Sequence, residues 1–328
     1  MRPTRLLVLL VLVAVPVAGG ATAAEVAPPL PWQEAGPIGR MYLQLPFEAP
    51  ELLPAGEVRV GLQVLYTNSI LVDTSPSLSA EIDYESAQVT TSVRYGLSPR
   101  VELQAALPVF VNWGGFLDGF ISSVEKFFAA TSTFRPGRPQ GLSIFRLTRP
   151  DGTGIDVQGT AAALGDAWGA VKVSLLDGGE GVPAISLHGA LKAPTGQPGF
   201  GSGTVDLGVG ALAAWTQGPV ALRLQADVFA PMGTLQGVDL AGRVYGAAQL
   251  GVAWQAGEVV SLHAQMSAHL SPVWSDLDLL SGWTFYVVVG ATFRIGDAGA
   301  IQLGVAENVL TPDRGADFTI LLGGHVSF

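Results

Sequence analysis

A period of two governs this chain. Reading back from Phe328, the residues Val326, Gly324, Leu322, Ile320 and Phe318 share one face, while Ser327, His325, Gly323, Leu321 and Thr319 share the other. Roughly ten residues of such alternation is the length and pattern of one transmembrane β-strand. Twelve segments carry it, approximately 57–69, 86–96, 101–111, 164–176, 184–193, 204–216, 219–230, 241–255, 259–271, 283–295, 300–308 and 317–328. An unpaired backbone group in hydrocarbon costs several kcal/mol, so strands in a bilayer must close on themselves. The expected fold is all-β, a transmembrane antiparallel up-and-down barrel of about 12 strands.

The links between segments sort by length. Short ones fall at 97–100, 177–183, 217–219, 256–258 and 296–299, and longer ones at 70–85, 112–163, 231–240 and 272–282. Short periplasmic turns and long external loops are the expected asymmetry of a bacterial outer-membrane barrel. Tyr95, Trp215, Trp254 and Phe293 each precede a short turn on the apolar face, and Tyr66, Trp283, Phe285 and Phe318 lie near the long-loop ends. Two aromatic girdles at the membrane interfaces account for both sets.

Composition fits this reading. Charged residues make up 13% of the chain and glycine numbers 42, a low-charge, glycine-rich balance. Arg2 and Arg5 precede the apolar run Leu6–Ala18, followed by Gly19-Gly20 and Ala21-Thr22-Ala23-Ala24. This is the pattern of a secretory signal peptide, residues 1–23, cleaved after Ala23. Pro16 and the glycine pair count against an uncleaved anchor helix. With no cysteine there is no lipoprotein anchor, disulfide or thiolate metal site. The net charge of −10 argues against a nucleic-acid partner. Residues 24–56 are Pro-rich and lack strand patterning, which leaves them either in the periplasm or in the lumen as a plug.

Parity places Arg59, Arg94, Lys172, Lys192, Arg223, Arg243 and Arg294 on inner faces, with Glu102, Asp166, Asp206 and Asp227 and a set of glutamines. A one-residue slip would turn these bases toward lipid at roughly 2–4 kcal/mol each near the midplane, so charge fixes register. The bases outnumber the acids, and either a positive lumen for anionic solutes or a brace of interior ion pairs follows. The histidines His188, His263, His269 and His325 share inner parity. Ser261, Ser267 and Ser271 accompany two of them, but no nucleophile signature appears. His263 and His269 are separated by six residues of strand, about 20 Å, too far to share a metal.

Within 112–163, Leu117, Ile121, Val124 and Phe128 recur at helical spacing, with Phe116 and Phe120 widening the apolar face. A short amphipathic helix is expected there, as a rim element or lid. Residues 142–148 and 155–158, around Pro150-Asp151-Gly152-Thr153-Gly154, read as a projecting hairpin.

Several stretches carry a resemblance: Gly114-Gly115-Phe116-Leu117-Asp118-Gly119-Phe120-Ile121, Leu164-Gly165-Asp166, Lys192-Ala193-Pro194-Thr195-Gly196 and Asp317-Phe318-Thr319. On these the chain resembles an uncharacterised family of Gram-negative outer-membrane barrels, catalogued as a domain of unknown function. Tyr95 to Glu102 is also distantly similar to a hairpin of outer-membrane transporters linked to aromatic-compound degradation. Pro99 stands where that pattern more often has an acidic residue. The family resemblance implies fold and location, and no catalytic residue. The expected partners are outer-membrane lipid, a small solute, and barrel-assembly machinery reading the strand that ends in Phe328. A monomer without cofactors is expected. Three readings of function follow: passage or binding of small, partly hydrophobic or anionic solutes, with 112–163 as gate; a non-conducting structural or envelope-interaction barrel; and a barrel hydrolase using His263 or His269.

Overall fold

The computed structural model describes residues 26–117, 119, 138–179, 181–296, 298–308, 310–311 and 314–328. The expected signal peptide lies outside them. Twelve strands form the barrel: β1 (Val58–Thr74), β2 (Ser79–Ser98), β3 (Val101–Trp113), β4 (Trp168–Gly179), β5 (Val182–Lys192), β6 (Val205–Gln217), β7 (Val220–Met232), β8 (Tyr245–Gln255), β9 (Val260–Leu270), β10 (Trp283–Ile295), β11 (Gly299–Glu307) and β12 (Phe318–Ser327). Each pairs antiparallel with its neighbours, and β1 closes the ring on β12, from Arg59 opposite Ser327 to Asn68 opposite Phe318.

The two faces of the wall follow from side-chain alternation. In β11, Ile301, Leu303 and Val305 point out and are exposed to the bilayer, whereas Ala300, Gln302 and Ala306 point in and are buried. Trp215, Phe293, Tyr95 and Trp283 stand on the outer face near the strand ends, in the girdle positions.

The alternation rule missed the upper ends of β1 and β2. The stretch 70–85, expected as a loop, is strand except for a tight turn at 75–78, and β1 and β2 pair up to Thr74 opposite Ser79. The physical reason is that both faces are covered there. Ile70 and Leu71 are both buried, so adjacent residues are apolar and the period-two signal vanishes. The hairpin Ile144–Thr148 with Gly154–Gln158 adds to this extension, Ser79–Asp83 pairing with Ile144–Thr148. It does not project away. Phe145, Leu147 and Ile155 turn inward and are buried at the mouth.

The fourth segment is also divided. Ala161–Leu164 pairs with the upper part of β3, Gly165-Asp166-Ala167 interrupts the strand, and β4 proper starts at Trp168. The interruption turns Asp166 inward. The expected strand start at 241 is four residues early, since β8 begins at Tyr245.

Residues 26–54 lie in the bore and form a long hairpin. One limb rises from Val26, the 3-10 turn Gly39–Met41 caps it, and the second limb descends to Pro54 beside β1. The limbs are tied to each other where the Phe47 amide donates to the Trp32 carbonyl at 2.7 Å. Both ends of the hairpin sit at the short-turn end of the barrel.

Candidate functional site

A Pro-rich strand of chain poses a hydrogen-bonding problem. Its extended backbone makes no internal ladder, and buried carbonyls still need donors. The inner wall supplies them. Gln265 Nε2 donates to the Leu30 carbonyl at 3.1 Å while its Oε1 accepts from the Leu30 amide at 2.7 Å. Gln302 donates to the Pro29 carbonyl at 3.1 Å, Gln225 to that of Pro46 at 3.2 Å, and Gln63 to that of Pro31. The Leu43 amide donates to Asp206 at 2.8 Å, the Glu48 amide to Gln225 at 3.0 Å and the Leu53 amide to Glu102 at 2.8 Å. The inner-face glutamines thus hold the luminal hairpin by its main chain.

Apolar side chains of the hairpin fit seats made by inner-face glycines. A Cβ on Gly251 would come within 2.6 Å of the Phe47 ring, and one on Gly290 within 2.8 Å of Leu30. Overpacking of this kind costs about 1–3 kcal/mol. The variant Gly251→Leu is therefore expected to weaken hairpin docking roughly tenfold, read as more frequent openings in bilayer recordings. Unchanged recordings would show that Phe47 does not occupy that seat.

Charge provides the firmest latch. Glu48, on the descending limb, lies 3.1 Å from Lys172, 3.4 Å from His188 and 3.6 Å from Arg94, and accepts from Gln104 at 2.8 Å. Lys172, fully buried, also donates to the carbonyls of Ala49 and Glu51. Behind it, Glu102 pairs with Arg94 at 2.7 Å, and Asp227 meets His188 at 2.6 Å. Burial alone would raise the Glu48 carboxyl; Lys172, His188 and Arg94 outweigh it and hold Glu48 well below the usual carboxylate range. A second cluster sits higher. Lys192 bridges Asp166 at 2.5 Å and Asp206 at 3.4 Å, and Asp206 receives the Leu43 amide.

Glu34, on the rising limb, is the opposite case. Burial pushes its carboxyl up to about 7, against hydrogen bonds from the Tyr286 hydroxyl and the Gly36 amide. Its ionisation opposes folding, so stability is full below about 4.5, declines as pH rises through 7 and stays low above that. Glu34→Gln is expected to remove the decline and to be more stable than the parent at pH 8 by roughly 3 kcal/mol. Melting curves in detergent from pH 4 to 8 check this. Parallel pH profiles for the two proteins would show that Glu34 is solvated.

The expected luminal residues therefore divide. Arg94, Lys172, Lys192, Asp166 and Asp227 come together around the hairpin. Arg223 reaches the Val26 carbonyl at 3.1 Å. Arg59 pairs with Glu57 and Ser327 at the short-turn end, where Arg294 also lies, partly exposed. There a cavity of about 120 Å³ is bordered by Arg59, Arg94, Gln63 and His325. Arg243, expected in the bore, lies outside it. It precedes β8, donates to the carbonyls of Ser271 and Ser281 and stacks 4.4 Å from Trp274, so it braces an outer loop and does not line the bore. The excess of inner bases over acids is also offset, because the hairpin brings Glu48 to Arg94 and Lys172.

His263 donates to or accepts from Thr292 at 2.8 Å, and Ser261 bonds Gln255. Among the described residues neither His263 nor His269 hydrogen-bonds Ser261, Ser267 or Ser271, so the Ser–His arrangement of a hydrolase is not formed. Of the expected rim helix, Phe120, Ile121, Val124 and Phe128 lie outside the described residues. Phe116 and Leu117 are on the outside of the wall. The Phe116 ring is 5.5 Å from that of Tyr66, and the Leu117 amide donates to Glu85, which also accepts from Tyr66. Gly115 at φ +68° allows this approach, since a Cβ there would overlap Glu85.

At the long-loop end the hairpin tip meets the external loops. Ile38, Met41, Tyr42 and Leu43 pack with Leu71, Ile82, Phe145, Leu147, Ile155, Leu235, Val238 and Leu280 in one buried apolar cluster.

The fold and this arrangement define a class: a twelve-stranded transmembrane β-barrel whose bore is filled by a hairpin of its own chain. The chain belongs to the family described as "Protein of unknown function (DUF3187)", matched over residues 5–328. No curated protein matches it. Among solved structures it is similar to the COG4313 outer membrane channel from Pseudomonas putida F1, at 14% identity and a TM-score of 0.55, covering 85% of this chain and 97% of that one. The KdgM porin (7% identity, TM-score 0.41, 82% and 99% covered) and the P. putida toluene transporter TodX (11%, 0.35, 84% and 90%) are more remote. The first likeness bears out the outer-membrane barrel fold.

Proposed function

We propose that the protein is a gated outer-membrane channel for small, partly hydrophobic solutes, with the luminal hairpin as its plug. The observation that carries this is the way the hairpin is held. Its contacts to the wall are separable side-chain bonds and ion pairs rather than a continuous strand ladder, so it can leave without unravelling the barrel. Withdrawal would also remove Ile38, Met41, Tyr42 and Leu43 from the apolar cluster at the mouth and open it toward the outside. An apolar mouth above a hydrogen-bonding bore favours solutes that are greasy at one end and polar at the other. The pairing of Arg94, Lys172 and Lys192 argues against a strong anion preference while the plug is docked. The P. putida barrel of the same fold is an outer membrane channel, which supports the direction of this reading.

Single-channel recording and liposome swelling with neutral and charged solutes of graded size test it. Brief openings and swelling that falls with solute size are expected. A silent barrel that swells with no solute would favour the second reading, a structural barrel for which the densely bonded hairpin is a permanent filling.

A further inference from the structure

Beneath the mouth, between the hairpin and β9 and β10, lies a cavity of about 40 Å³ with one polar and one apolar side. Three side chains on it are more than nine-tenths buried yet incompletely bonded: among the described residues Glu34 Oε2, Gln44 Oε1 and both ring nitrogens of His269 have no hydrogen-bond partner. Such groups are costly to bury unless something satisfies them. Each leaves a hydrogen-bonding position open toward the cavity. The Gln44 amide oxygen lacks a donor, as does the Glu34 Oε2 once ionised, while the His269 ring leaves one acceptor nitrogen and one N–H unpaired. Ile38, Leu71 and Leu280 supply the apolar side, and the outer border is the partly exposed stretch Ser271, Leu279 and Gly282, against which Arg314 packs.

We infer that this cavity is a binding site for the hydroxyl head of a small alcohol-type solute, with Gln44 or an ionised Glu34 accepting the hydroxyl's one hydrogen, the His269 N–H donating to its oxygen, and Ile38, Leu71 and Leu280 holding the adjoining carbons. The volume suits a head group of a few heavy atoms and no more. A carboxylate solute has no hydrogen to give the Gln44 oxygen and brings a negative charge beside Glu34, which the site disfavours. The inference rests on the reading that solutes reach the bore from the outside, and it names their class. It is tested by binding rather than flux, so a barrel that binds but conducts nothing separates failure of the channel reading from failure of the site.

The chain has four histidines, so ¹³C,¹⁵N-histidine labelling of the full protein in detergent gives a sparse spectrum in which His269 is assigned by His269→Asn. Titration with butan-1-ol is expected to shift the His269 signals to saturation, leaving His188 and His325 unmoved. Its isomer diethyl ether, of equal size but without a donor, is expected to bind at least fivefold more weakly. Gln44→Leu, whose fold is checked by the unmoved His188 signals, should weaken butan-1-ol at least threefold. Equal binding of the two isomers would reduce the site to an apolar hole, and stronger binding of butylammonium than of the alcohol would make it a cation site. Either result, or no saturable shift at all, overturns the inference.

Discussion

Lys172→Met is expected to convert a mostly closed barrel into a mostly open one. The side chain is fully buried, and its removal leaves the carboxylates of Glu48 and Glu102 with one cation fewer and the carbonyls of Ala49 and Glu51 without their donor. Breaking one partner out of a buried charge pair costs about 3–5 kcal/mol. Most of that loss falls on the docked state of the hairpin, because withdrawal lets Glu48 return to water. At 1.4 kcal/mol per factor of ten, open probability should rise by roughly two orders of magnitude or more. Lys172→Arg keeps the charge in a bulkier form and should have a smaller effect. Recordings of the Met variant that match the parent would mean that the latch does not control the bore.

The second large effect concerns the mouth and has a different signature. Phe145, on the external hairpin, is buried in the apolar cluster, with the Tyr84 ring 6.1 Å away. Phe145→Ala is expected to cost about 3–5 kcal/mol, as large-to-small core changes do. The loss should appear as faster proteolysis of 144–158 with little added conductance, because the luminal hairpin still fills the bore below. Combined with Lys172→Met, it should raise conductance beyond the single variant. A large conductance from Phe145→Ala alone would make the mouth, not the hairpin, the principal barrier.

How far the fold was legible in the sequence depended on whether a residue faced lipid. Every barrel strand could be read because greasy and wet faces alternate along it, as in Val260–Leu270. The alternation fails wherever protein covers both faces, and that is why 70–85 carries no strand pattern and 26–54 shows no period that would seat it. The signal for the hairpin was present in another form. Gln63, Gln225, Gln265 and Gln302 recur on inner faces, and the Pro-rich segment they bond has carbonyls with no ladder to satisfy them. Matching a row of donors to a run of acceptors would have docked it. Inner-face glycines such as Gly251 and Gly290 were a further cue, since a strand interior gains little from glycine unless something approaches closely. Arg243 escapes the parity rule because it precedes its strand, and alternation does not carry past a strand end. Interior ion pairs such as Arg94 with Glu102 follow from parity, but those of Glu48 do not, since it reaches Lys172 only through the three-dimensional return of the hairpin.

Residues 26–54 are docked inside the wall, and amide hydrogen exchange on the bilayer-embedded protein tests this most directly. The amides of Leu30, Leu43, Glu48 and Leu53 donate to Gln265, Asp206, Gln225 and Glu102, so all four should exchange slowly in the parent and fast in Lys172→Met. Exchange of these four at unfolded-chain rates in the parent protein would contradict it.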